Sequence, residues 1–564
     1  MSDYYIGLST SGHDPAFAIA DEHGKIIFAE SSERYTQVKR AWGIAPDHAD
    51  HIRPQLDKLI EADPDATFNI STSWTRAKQD LAGDGHSVVA SPSTTLVEAK
   101  LGQWIMGLQE QIHRSAGHSI KTLYGKHIKT DTLNFDHHLC HATNAVYSAP
   151  FDSGLVLVAD GEGETGSISL FKMENRSLKR LWRSWGPGSL GTFYCWLTSL
   201  CGFDWIAGEE WKVMGLAAYG KPNLQLAHKL EQILVIEKGR PIFSEQHIIS
   251  ETVAEVKAFQ RTSKEPVEKA ADLAATGQLV YQRYMEKILD TLHHYNEDNL
   301  ALSGGCALNS SYNGVLLAGS KFKQVHVPSA PADDGNALGA ALLGWSKGTG
   351  NNAIPKMEGA CYLGTTPEVK AIENTEKYSS WKSINLGNDS AEYIAKVLAE
   401  GKILGIFRGA AEFGPRALGH RSIFADPRPE SMKDIINANV KGREAYRPFA
   451  PMILEEHLSN WFELEQTSPF MSFAYPFKSE KCHLIPAVVH ADNTGRVQTV
   501  NKTNEAWLYS LLNEFYQLTG IPILLNTSFN IMGKPIVHSV QDAVAVFGTT
   551  GLDGLLLENT YFTK

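Results

Sequence analysis

One succession of sequence features occurs twice before residue 185 and restricts the fold more than any other feature of this chain. An apolar strand leads into a loop of glycine and acidic residues, and two further strands joined by a short turn follow. In the first copy, the loop is Ser11–Asp14 and the predicted strands are Tyr4–Ser9, Ala16–Ala20 and Lys25–Ala29. In the second copy, the loop is Asp160–Gly166 and the predicted strands are Gly154–Ala159, Ser167–Lys172 and Leu178–Ser184. The repeat is one of pattern rather than of sequence identity, and it predicts an internal duplication.

A duplication built on this unit is the plan of the actin, sugar kinase and heat-shock chaperone ATPase (ASKHA) fold, in which two related halves clasp ATP. The expected fold class is therefore α/β, with a duplicated ASKHA domain at the N-terminus. The Ser11–Asp14 loop can surround a phosphate with backbone N–H groups. Farther along, the segment Leu300–Asn309 begins as an apolar strand and breaks into Gly304-Gly305, where a ligand can approach the backbone closely. We expect that turn to meet the adenosine or the α-phosphate; the alternative is an ordinary strand-to-helix turn.

Two histidines and two aspartates have the residue types and positions expected of a metal site. In Asp136–His141, His137 and His141 are spaced so that both imidazoles lie on one face of a helix. Asp160 follows an apolar strand, and Asp333 precedes a stretch of small residues. A histidine pair alone is more often an ordinary surface or core pair, but the ends of strands are where α/β folds bind ligands. Two histidines and two aspartates can hold one divalent ion and leave positions open for a phosphate.

Composition and charge argue against several classes of protein. With 564 residues, the chain is expected to form about two to four domains. The net charge is −11 and no block of five or more lysines and arginines occurs, which argues against a nucleic-acid partner. No apolar run reaches the roughly 18 residues that span a bilayer, and the N-terminus does not have the pattern of a signal peptide. The six cysteines form no C-x-x-C motif, so a cytoplasmic, reduced protein without a membrane partner is expected.

A second domain, with basic residues concentrated in a few of its segments, is expected after a linker. Ser346–Pro355 is rich in glycine, asparagine and proline, so we predict one domain at 1–355 and another at 356–564. The second domain contains basic residues near glycine turns in Arg408–Arg421 and Lys441–Arg447, and then Arg496 and a strand Ile521–Leu525 that ends in Asn526–Asn530. Arginine forks match phosphate and carboxylate oxygens, so this pattern predicts an enclosed anion site in an acidic protein. The alternative is a set of surface arginines paired with Glu412, Glu444 and Asp426.

Several motifs, taken together, resemble the NodU/CmcH carbamoyltransferase family. They are His-His-Leu-x-His at 137–141, Lys-x-Met-Gly-Leu-Ala-x-Tyr-Gly at 212–220, Gly-Pro-Arg-Ala-Leu-Gly at 414–419 and Arg-Pro-Phe-Ala-Pro at 447–451. The resemblance runs nearly from end to end. It implies an N-terminal domain of the tRNA-threonylcarbamoyl-transfer type and a C-terminal YrdC-like α/β domain. It also implies that ATP and carbamoyl phosphate form carbamoyl-adenylate, whose carbamoyl group passes to a hydroxyl, or an amine, of a small-molecule natural product.

The same resemblance implies roles for individual residues. The metal would be iron, or another divalent metal, and its ligands would be His137, His141, Asp160 and Asp333. Contacts to the adenylate would come from Lys39, Ser189, Lys212, Gly305 and Asn309. Carbamoyl phosphate binding and adenylation would use Arg416, Lys441, Arg447, Arg496, Asn526 and Ser528. The residues expected in catalysis are His13, Asp160 and Arg416. His13 would be a general base on the acceptor side, because imidazole accepts a proton near neutrality, and Asp14 is the alternative.

Three features depart from the family pattern, and three other functions stay open. Ser32-Glu33-Arg34 replaces Glu-Glu-Arg, Asp334 adds an acid beside a ligand, and Trp185–Gly188 differs from the usual loop. A tRNA threonylcarbamoyl transferase would share the metal motif, although the acidic charge and the second domain argue against it. A hydrogenase-maturation carbamoyltransferase would carry zinc-type cysteine pairs. A non-enzymatic ASKHA-fold ATP sensor would not need the C-terminal anion site. The expected partner is a small hydroxylated acceptor, and a homodimer is the assembly considered.

Overall fold

Two compact units make up the chain. The computed structural model describes residues 2–75, 96, 99–357, 359 and 361–564. The first unit consists of Met1–Thr36, Arg40–Asn309 and Gly319–Ala360. The second unit consists of Gln37–Lys39, Ser310–Ala318 and Cys361–Lys564. Two short segments from the predicted first domain, 1–355, therefore belong to the second unit.

The first unit contains two five-stranded sheets. The strands of the first sheet are β1 (Asp3–Leu8), β2 (Ala16–Ala20), β3 (Ile26–Ser31), β4 (Thr67–Thr72) and β5 (Leu133–Asn134). The strands that follow are β6 (Gly154–Ala159), β7 (Ile168–Glu174), β8 (Ser177–Arg183), β9 (Leu234–Glu237), β10 (Arg240–Phe243), β11 (Asn299–Ser303) and β12 (Gln324–His326). The order is β3-β2-β1-β4-β5 in the first sheet and β8-β7-β6-β11-β12 in the second, and β9 and β10 form a separate hairpin.

The two sheets have the same topology. In each, three consecutive strands form an antiparallel meander. The next two strands add in parallel on the other side of the first strand of the meander. The six strands predicted from the repeated pattern all form, and each end agrees with the prediction to within about two residues because turn residues bound the apolar runs. The predicted internal duplication is confirmed, and the first unit has the ASKHA fold.

Helices cover the sheets and carry part of the site described below. The helices up to residue 349 are α1 (Ser32–Thr36), α2 (Ala49–Ala62), α3 (Ala99–Ser115), α4 (His118–Tyr124), α5 (His137–Ser148), α6 (Leu190–Leu200), α7 (Glu210–Ala217), α8 (Leu224–Leu230), α9 (Gln246–Val256), α10 (Ala271–Asp290), α11 (Ser310–Gly319) and α12 (Asn336–Thr349). One core cluster combines Ile6, Phe17 and Phe68 of the first sheet with Ile52 of α2 and Ile120 of α4.

Small residues let α12 lie unusually close to its neighbours. A β-carbon on Gly7 of β1 would come within 1.9 Å of the Ala337 carbonyl oxygen. A β-carbon on Gly339 would come within 2.1 Å of the Cys140 carbonyl oxygen in α5. Any larger side chain at either position would separate these backbones. The small-residue stretch after Asp333 is therefore what allows α12 to pack against α5.

The predicted linker at Ser346–Pro355 is wrong in its first half. α12 continues to Thr349 and ends at Gly350, which has a φ of 76°. The last residues, Ile354 and Pro355, accept hydrogen bonds from Arg176 at 2.8 and 3.0 Å and are thereby fixed to the first unit. Glycine in a left-handed conformation is an ordinary helix terminus, so the composition of this segment reflects a helix end rather than an unstructured connection.

Arg176 connects three parts of the first unit. Its buried guanidinium donates to backbone carbonyls at the end of α5, to Phe151 O at 3.3 Å and to Ile354 O at 2.8 Å. We expect Arg176→Met to lower the free energy of unfolding of this unit by about 3 kcal/mol, since several buried carbonyls would lose charged donors. Denaturant unfolding would measure it. Arg114→Met, which removes an exposed pair with Glu110, should cost less than about 0.5 kcal/mol. Equal effects of the two changes would contradict the prediction.

The second unit is built around one large mixed sheet. Its strands are β13 (Lys382–Asn385), β14 (Leu404–Phe407), β15 (Arg421–Ala425), β16 (Ala450–Leu454), β17 (Ala474–Pro476), β18 (Thr494–Arg496), β19 (Gln498–Val500), β20 (Ile523–Ser528), β21 (Gly554–Leu557) and β22 (Thr560–Thr563). Eight of them form a sheet in the order β13-β22-β21-β14-β15-β20-β16-β19, and β17 pairs with β18. The α/β class predicted for this part of the chain is confirmed, and the assignment to the YrdC-like fold stays a prediction.

Helices also pack in the second unit, and one strand extends farther than predicted. The helices are α13 (Val369–Tyr378), α14 (Ser390–Ala399), α15 (Met432–Ile435), α16 (Leu458–Trp461), α17 (Ala506–Thr519) and α18 (Val540–Thr549). The strand predicted at Ile521–Leu525 instead runs through Asn526 to Ser528, because these residues pair with β15. Alternation along the strand then puts Asn526 and Ser528 on one face of the sheet. Among the described residues, no helix is both long and apolar enough to cross a membrane.

Candidate functional site

The four predicted metal ligands lie together in the first unit. His137 and His141 occupy the first turns of α5, and Asp160 directly follows β6. Asp333 begins a short 3-10 turn that leads into α12. One potential ligand atom from each residue lies within 4.8 Å of the other three. The fold thus brings together residues from three distant parts of the sequence.

The spacing of these atoms fits one shared ion. Nε2 of His137 lies 3.1 Å from Asp160 Oδ2 and 3.5 Å from Asp333 Oδ1. Nε2 of His141 lies 3.3 Å from each of the same two oxygens. Ligand atoms about 2.0–2.2 Å from one ion are roughly 3–3.5 Å from one another, which agrees with these distances. Nε2 of His141 is buried and forms no hydrogen bond of good geometry with any described residue, as expected of an atom whose lone pair faces an ion.

Burial and charge have opposite effects on the four side chains. Burial acts to lower the pKa of His137, but the carboxylates of Asp333 and Asp160 raise it well above its usual value. Burial and the charge of Asp333 act to raise the pKa of Asp160, yet its hydrogen bond with His137 lowers it. The pKa of Asp333 is lowered, against the effect of burial, by the charge of His137. Two ionised carboxylates therefore face two imidazoles, a donor set that suits iron or another divalent metal.

Other buried polar groups orient the start of α5. Asp136 caps the helix by accepting the Leu139 N–H at 2.9 Å. Glu164 accepts the His137 N–H at 3.0 Å, and burial followed by the charge of Asp136 raises the pKa of Glu164 to about 7. The amide of Asn336 lies 3.2 Å from Nδ1 of His137. Contacts of this kind to the second ring nitrogen set the orientation of a metal-binding imidazole.

His13 lies beside the four-residue cluster. Its Nδ1 atom is 2.9 Å from Asp14 Oδ2 and 3.6 Å from Asp333 Oδ2. Gly12 and Asp14 both have positive φ angles, 91° and 49°, which turns the loop sharply at this point. Nη2 of Arg40 lies 3.0 Å from the same nitrogen of His13 and 3.2 Å from Asp14 Oδ2. Burial acts to raise the pKa of Asp14, but Arg40 and His13 lower it.

Two of the predicted adenylate contacts hold the loop that carries Asp160. The Gly305 N–H donates to Asp160 Oδ1 at 2.9 Å. Gly304 has a φ of 89°, and a β-carbon there would come within 2.2 Å of the Ala159 carbonyl oxygen, so the turn requires glycine. Ser189 caps α6 and donates its hydroxyl to the Gly161 carbonyl at 2.6 Å. Both residues are thus next to a metal ligand and support its position.

The remaining predicted adenylate contacts have other partners. The side-chain amides of Asn309 and Gln278 form a reciprocal pair, with both distances 3.1 Å. Nζ of Lys212 lies 2.6 Å from Glu209 Oε1. Lys39 belongs to the second unit, whereas the other four predicted adenylate contacts belong to the first. Binding of an adenylate by these three residues stays a prediction.

Buried and half-buried basic side chains gather in the second unit. Burial lowers the pKa of Arg416 to about 10. Burial, followed by the charges of Arg416 and Arg443, lowers the pKa of Arg496 well below its usual value. Burial, followed by the charges of Arg443 and Arg447, also lowers the pKa of Lys441 well below its usual value. Because the neighbours that act on Arg496 and Lys441 are themselves cations, a bound anion would stabilise all of them.

Lys441 is held in place by oxygen atoms of β20 and the loop after it. It ends a π-helix, Ile436–Lys441, and is buried. Its Nζ atom donates to the Ser528 carbonyl and to Asn530 Oδ1, the latter at 2.8 Å. The Ser528 hydroxyl donates to the same Asn530 oxygen at 2.7 Å. Besides burial and the neighbouring arginines, the charge of Lys39 lowers the pKa of Lys441.

The alternative of arginines paired with acids holds for Arg447 but not for Arg416 or Arg496. Glu412 accepts backbone N–H groups of the loop that follows it. Asp426 pairs with Arg428 at 2.6 Å, and Arg428 lies outside the cluster. Glu444 contacts Arg447 at 3.4 Å. Within the described part of the chain, no ion pair or hydrogen bond engages the guanidinium of Arg416 or Arg496. The arrangement favours an anion site.

Three residues near these sites were missed in the sequence. Arg443 lies in the basic segment 441–447, but nothing in the spacing separates it from its neighbours. Arg40 had no signal, because its contact with His13 depends on how two loops meet. Nothing in the sequence indicated Gln498 either, because it is buried and its hydrogen-bond partner, Asn526, is distant in the sequence.

Both halves of the chain are similar to known proteins. Residues 4–342 match the family described as "Carbamoyltransferase N-terminus", and residues 395–564 match "Carbamoyltransferase C-terminus". The "Uncharacterized protein sll1178" of Synechocystis sp. is 34% identical over 100% of this chain and 97% of its own length. "Nodulation protein NolNO" of Sinorhizobium fredii is 37% identical over 78% of this chain and 65% of its own length. "Nodulation protein NolO" of Bradyrhizobium diazoefficiens is 36% identical over 75% of this chain and 77% of its own length. The chain therefore belongs to the carbamoyltransferase family.

Proposed function

We propose that this protein is an ATP-dependent carbamoyltransferase that acts on a hydroxyl, or an amine, of a small-molecule natural product. Carbamoyl phosphate and water would give carbamate and phosphate, and a carbamate oxygen would attack the α-phosphate of ATP. The products would be carbamoyl-adenylate and pyrophosphate. The acceptor would then attack the carbamoyl carbon and release AMP. The observation that carries this proposal is the cation cluster in the C-terminal unit of a chain that belongs to the carbamoyltransferase family.

In the second unit, the basic residues would neutralise the substrates. Arg416, Arg496 and Lys441 would bind the oxygens of carbamoyl phosphate and of the ATP phosphates, which lets two anions approach each other. Their burial would exclude water from carbamate, which decomposes quickly in solution. Asn526 and Ser528, on the same face of β20, would add neutral hydrogen bonds. Holding the reactants in one place would supply much of the remaining rate enhancement.

In the first unit, His13 would accept a proton from the acceptor. Asp14, whose Oδ2 atom lies 2.9 Å from Nδ1, would orient the ring so that a ring nitrogen can take the proton of the attacking hydroxyl. A divalent ion bound by His137, His141, Asp160 and Asp333, iron in the family resemblance, would supply positive charge to the phosphate of the leaving AMP. The Gly305 N–H and the Ser189 hydroxyl would keep the Asp160 loop in place. The proposal includes a cytoplasmic location, and the net charge of −11 supports a partner other than nucleic acid.

The first half-reaction should proceed without an acceptor. We expect ATP plus carbamoyl phosphate to yield AMP-containing product and pyrophosphate, because the cation cluster and the acceptor-side histidine belong to separate units. Pyrophosphate release and phosphorus NMR would measure it, with omission of carbamoyl phosphate as the control. Absence of both products, with or without acceptors, would exclude adenylation. Pyrophosphate that forms only from ATP, bicarbonate and threonine would indicate a threonylcarbamoyl transferase, and ATP binding without turnover would indicate a sensor.

A further inference from the structure

Two tryptophans form an aromatic surface next to His13. The Trp42 ring lies 4.7 Å from the His13 ring, centroid to centroid, and meets it edge-on. Trp104, on α3, lies 5.4 Å from Trp42, and the two rings are tilted by 38°. Trp104 is 45% exposed, whereas Trp42 is half-buried. The aromatic surface therefore leads from the acceptor-side histidine to the solvent.

The ring of Trp42 has a fixed orientation. Its indole N–H donates to the Ile206 carbonyl at 2.8 Å. The guanidinium carbon of Arg40 lies 5.2 Å from the ring centroid, and a cation over an indole face is attracted to it. The same guanidinium pairs with Asp14 at 3.2 Å and with Glu210 at 3.7 Å. The cation beside Trp42 is therefore neutralised by the protein itself, and the surface next to it suits an uncharged ligand.

The backbone before Trp42 is strained. Arg40 and Ala41 have φ angles of 57° and 40°, although neither is glycine. Two such residues in succession cost free energy, and conformations of this kind are retained chiefly where function requires a particular shape. The Gly43 N–H donates to the Gly12 carbonyl at 3.1 Å, which ties the strained loop to the loop of the acceptor-side histidine. The strain therefore helps to hold Trp42 in contact with that histidine.

Trp104 has the features of a contact surface rather than of a core residue. Single exposed apolar side chains are common on proteins, but this one is continuous with Trp42. Gln109, in the same helix, donates to the Thr10 carbonyl and so fixes the helix against the loop that follows β1. One indole separates Trp104 from His13, so a ligand that touches both must extend beyond the group that reacts. Exposed aromatic faces stack on flat rings.

We propose that Trp104 and Trp42 form a subsite for a flat, uncharged ring of the acceptor, at the end of the molecule away from the reacting hydroxyl. The inference rests on the proposed function, since it takes His13 as the residue that meets that hydroxyl. The ring stacks on the exposed face of Trp104, and Trp42 fills the space between that ring and the histidine. Such a ring has an apolar face, as an aromatic ring and a sugar ring both do. The subsite selects acceptors of this shape among molecules with the same hydroxyl.

Three probes that share one glucose unit separate these contributions. Phenyl β-D-glucopyranoside carries an aromatic ring at its far end, methyl β-D-cellobioside carries a second sugar ring, and methyl β-D-glucopyranoside carries neither. Saturation-transfer NMR would measure their binding to the full-length protein. At least one of the two longer probes should bind about 10-fold more tightly than methyl β-D-glucopyranoside. The tighter of the two would identify the ring as aromatic or as a sugar.

Trp104→Ala should remove this preference. The longer probe should then bind within about twofold of methyl β-D-glucopyranoside, whose own binding should not change because it does not reach Trp104. Trp104→Phe keeps an aromatic face and should retain part of the preference. Phe259→Ala is the matched control, because Phe259 is 47% exposed and lies in the 3-10 turn after α9. Circular dichroism would establish that each variant is folded.

Equal binding of the three probes, no binding of either longer probe, or an unchanged preference in Trp104→Ala would overturn the inference. An equal loss in Phe259→Ala would also overturn it, because the effect would then belong to exposed aromatic residues in general. These outcomes leave the proposed function standing, since pyrophosphate release from ATP and carbamoyl phosphate tests that function without an acceptor. A preference that depends on Trp104, in a protein that releases no pyrophosphate, would reject the proposed function and retain the ring subsite.

Discussion

His137→Ala and Asp333→Ala are each expected to abolish stable metal binding. Each removes one of four side chains whose ligand atoms lie within 4.8 Å of one another. Loss of a residue that only orients a ligand already costs about 10- to 100-fold in metal affinity, so loss of a ligand itself should cost more. Acceptor carbamoylation should fall with the metal content. Metal analysis of the purified variants and mass spectrometry of the acceptor would measure the two effects separately.

The same variants should still convert ATP and carbamoyl phosphate to pyrophosphate. The cation cluster consists of residues in the second unit, and none of them is a proposed metal ligand. His138→Ala is the matched control, because His138 is the next residue of α5 and its Nδ1 atom lies 2.8 Å from the Ser169 hydroxyl, but it does not belong to the ligand cluster. It should retain the metal. Full metal content in both ligand variants would reject the ligand assignment, and loss of both half-reactions in folded protein would show that the two sites are chemically dependent.

Arg416→Ala is expected to reduce the use of carbamoyl phosphate most among the changes in the second unit. Removing one member of a buried charge-recognition site costs roughly 2–5 kcal/mol, which corresponds to about 30- to 5000-fold in kcat/KM. The charge of Arg416 acts on Arg496, and no carboxylate among the described residues pairs with the Arg416 guanidinium, so its charge is available to a bound anion. Steady-state pyrophosphate release at varied carbamoyl phosphate would give the ratio. Metal content should be unchanged.

Two further arginine variants sharpen this test. Arg416→Lys keeps the charge but loses the planar fork, so its activity should lie between that of alanine and that of the unaltered protein. Arg428→Ala removes an arginine that pairs with Asp426 and should have little effect on kcat/KM. Turnover by Arg416→Ala equal to that of the unaltered protein would assign Arg416 a structural or surface function. An equal loss in Arg428→Ala would indicate a general effect on the fold.

Local sequence patterns were sufficient for much of the first unit. The strands of both meanders were predictable because their apolar runs are bounded by turn residues, and the spacing of His137 and His141 predicted one helix face. The same local reasoning misread Ser346–Pro355, where glycine ends a helix instead of forming a linker. It also ended β20 at Leu525, because Asn526 and Ser528 are polar, although pairing with β15 extends the strand through them. Composition alone does not contain such pairings.

The sequence by itself determined which chemical groups this protein has and their order along the chain: a histidine pair at helical spacing, acids after strands, and basic residues in the C-terminal part. The tertiary structure decided which of these groups meet. It brought Asp333 to within 3.5 Å of both histidines, grouped Lys39 with Lys441 in the second unit, and fixed the amide of Asn526 through Gln498. The physical reason is that coordination and hydrogen bonding depend on distances through space of a few ångströms and on the direction of individual atoms. Those quantities are set when separate sheets, loops and helices pack.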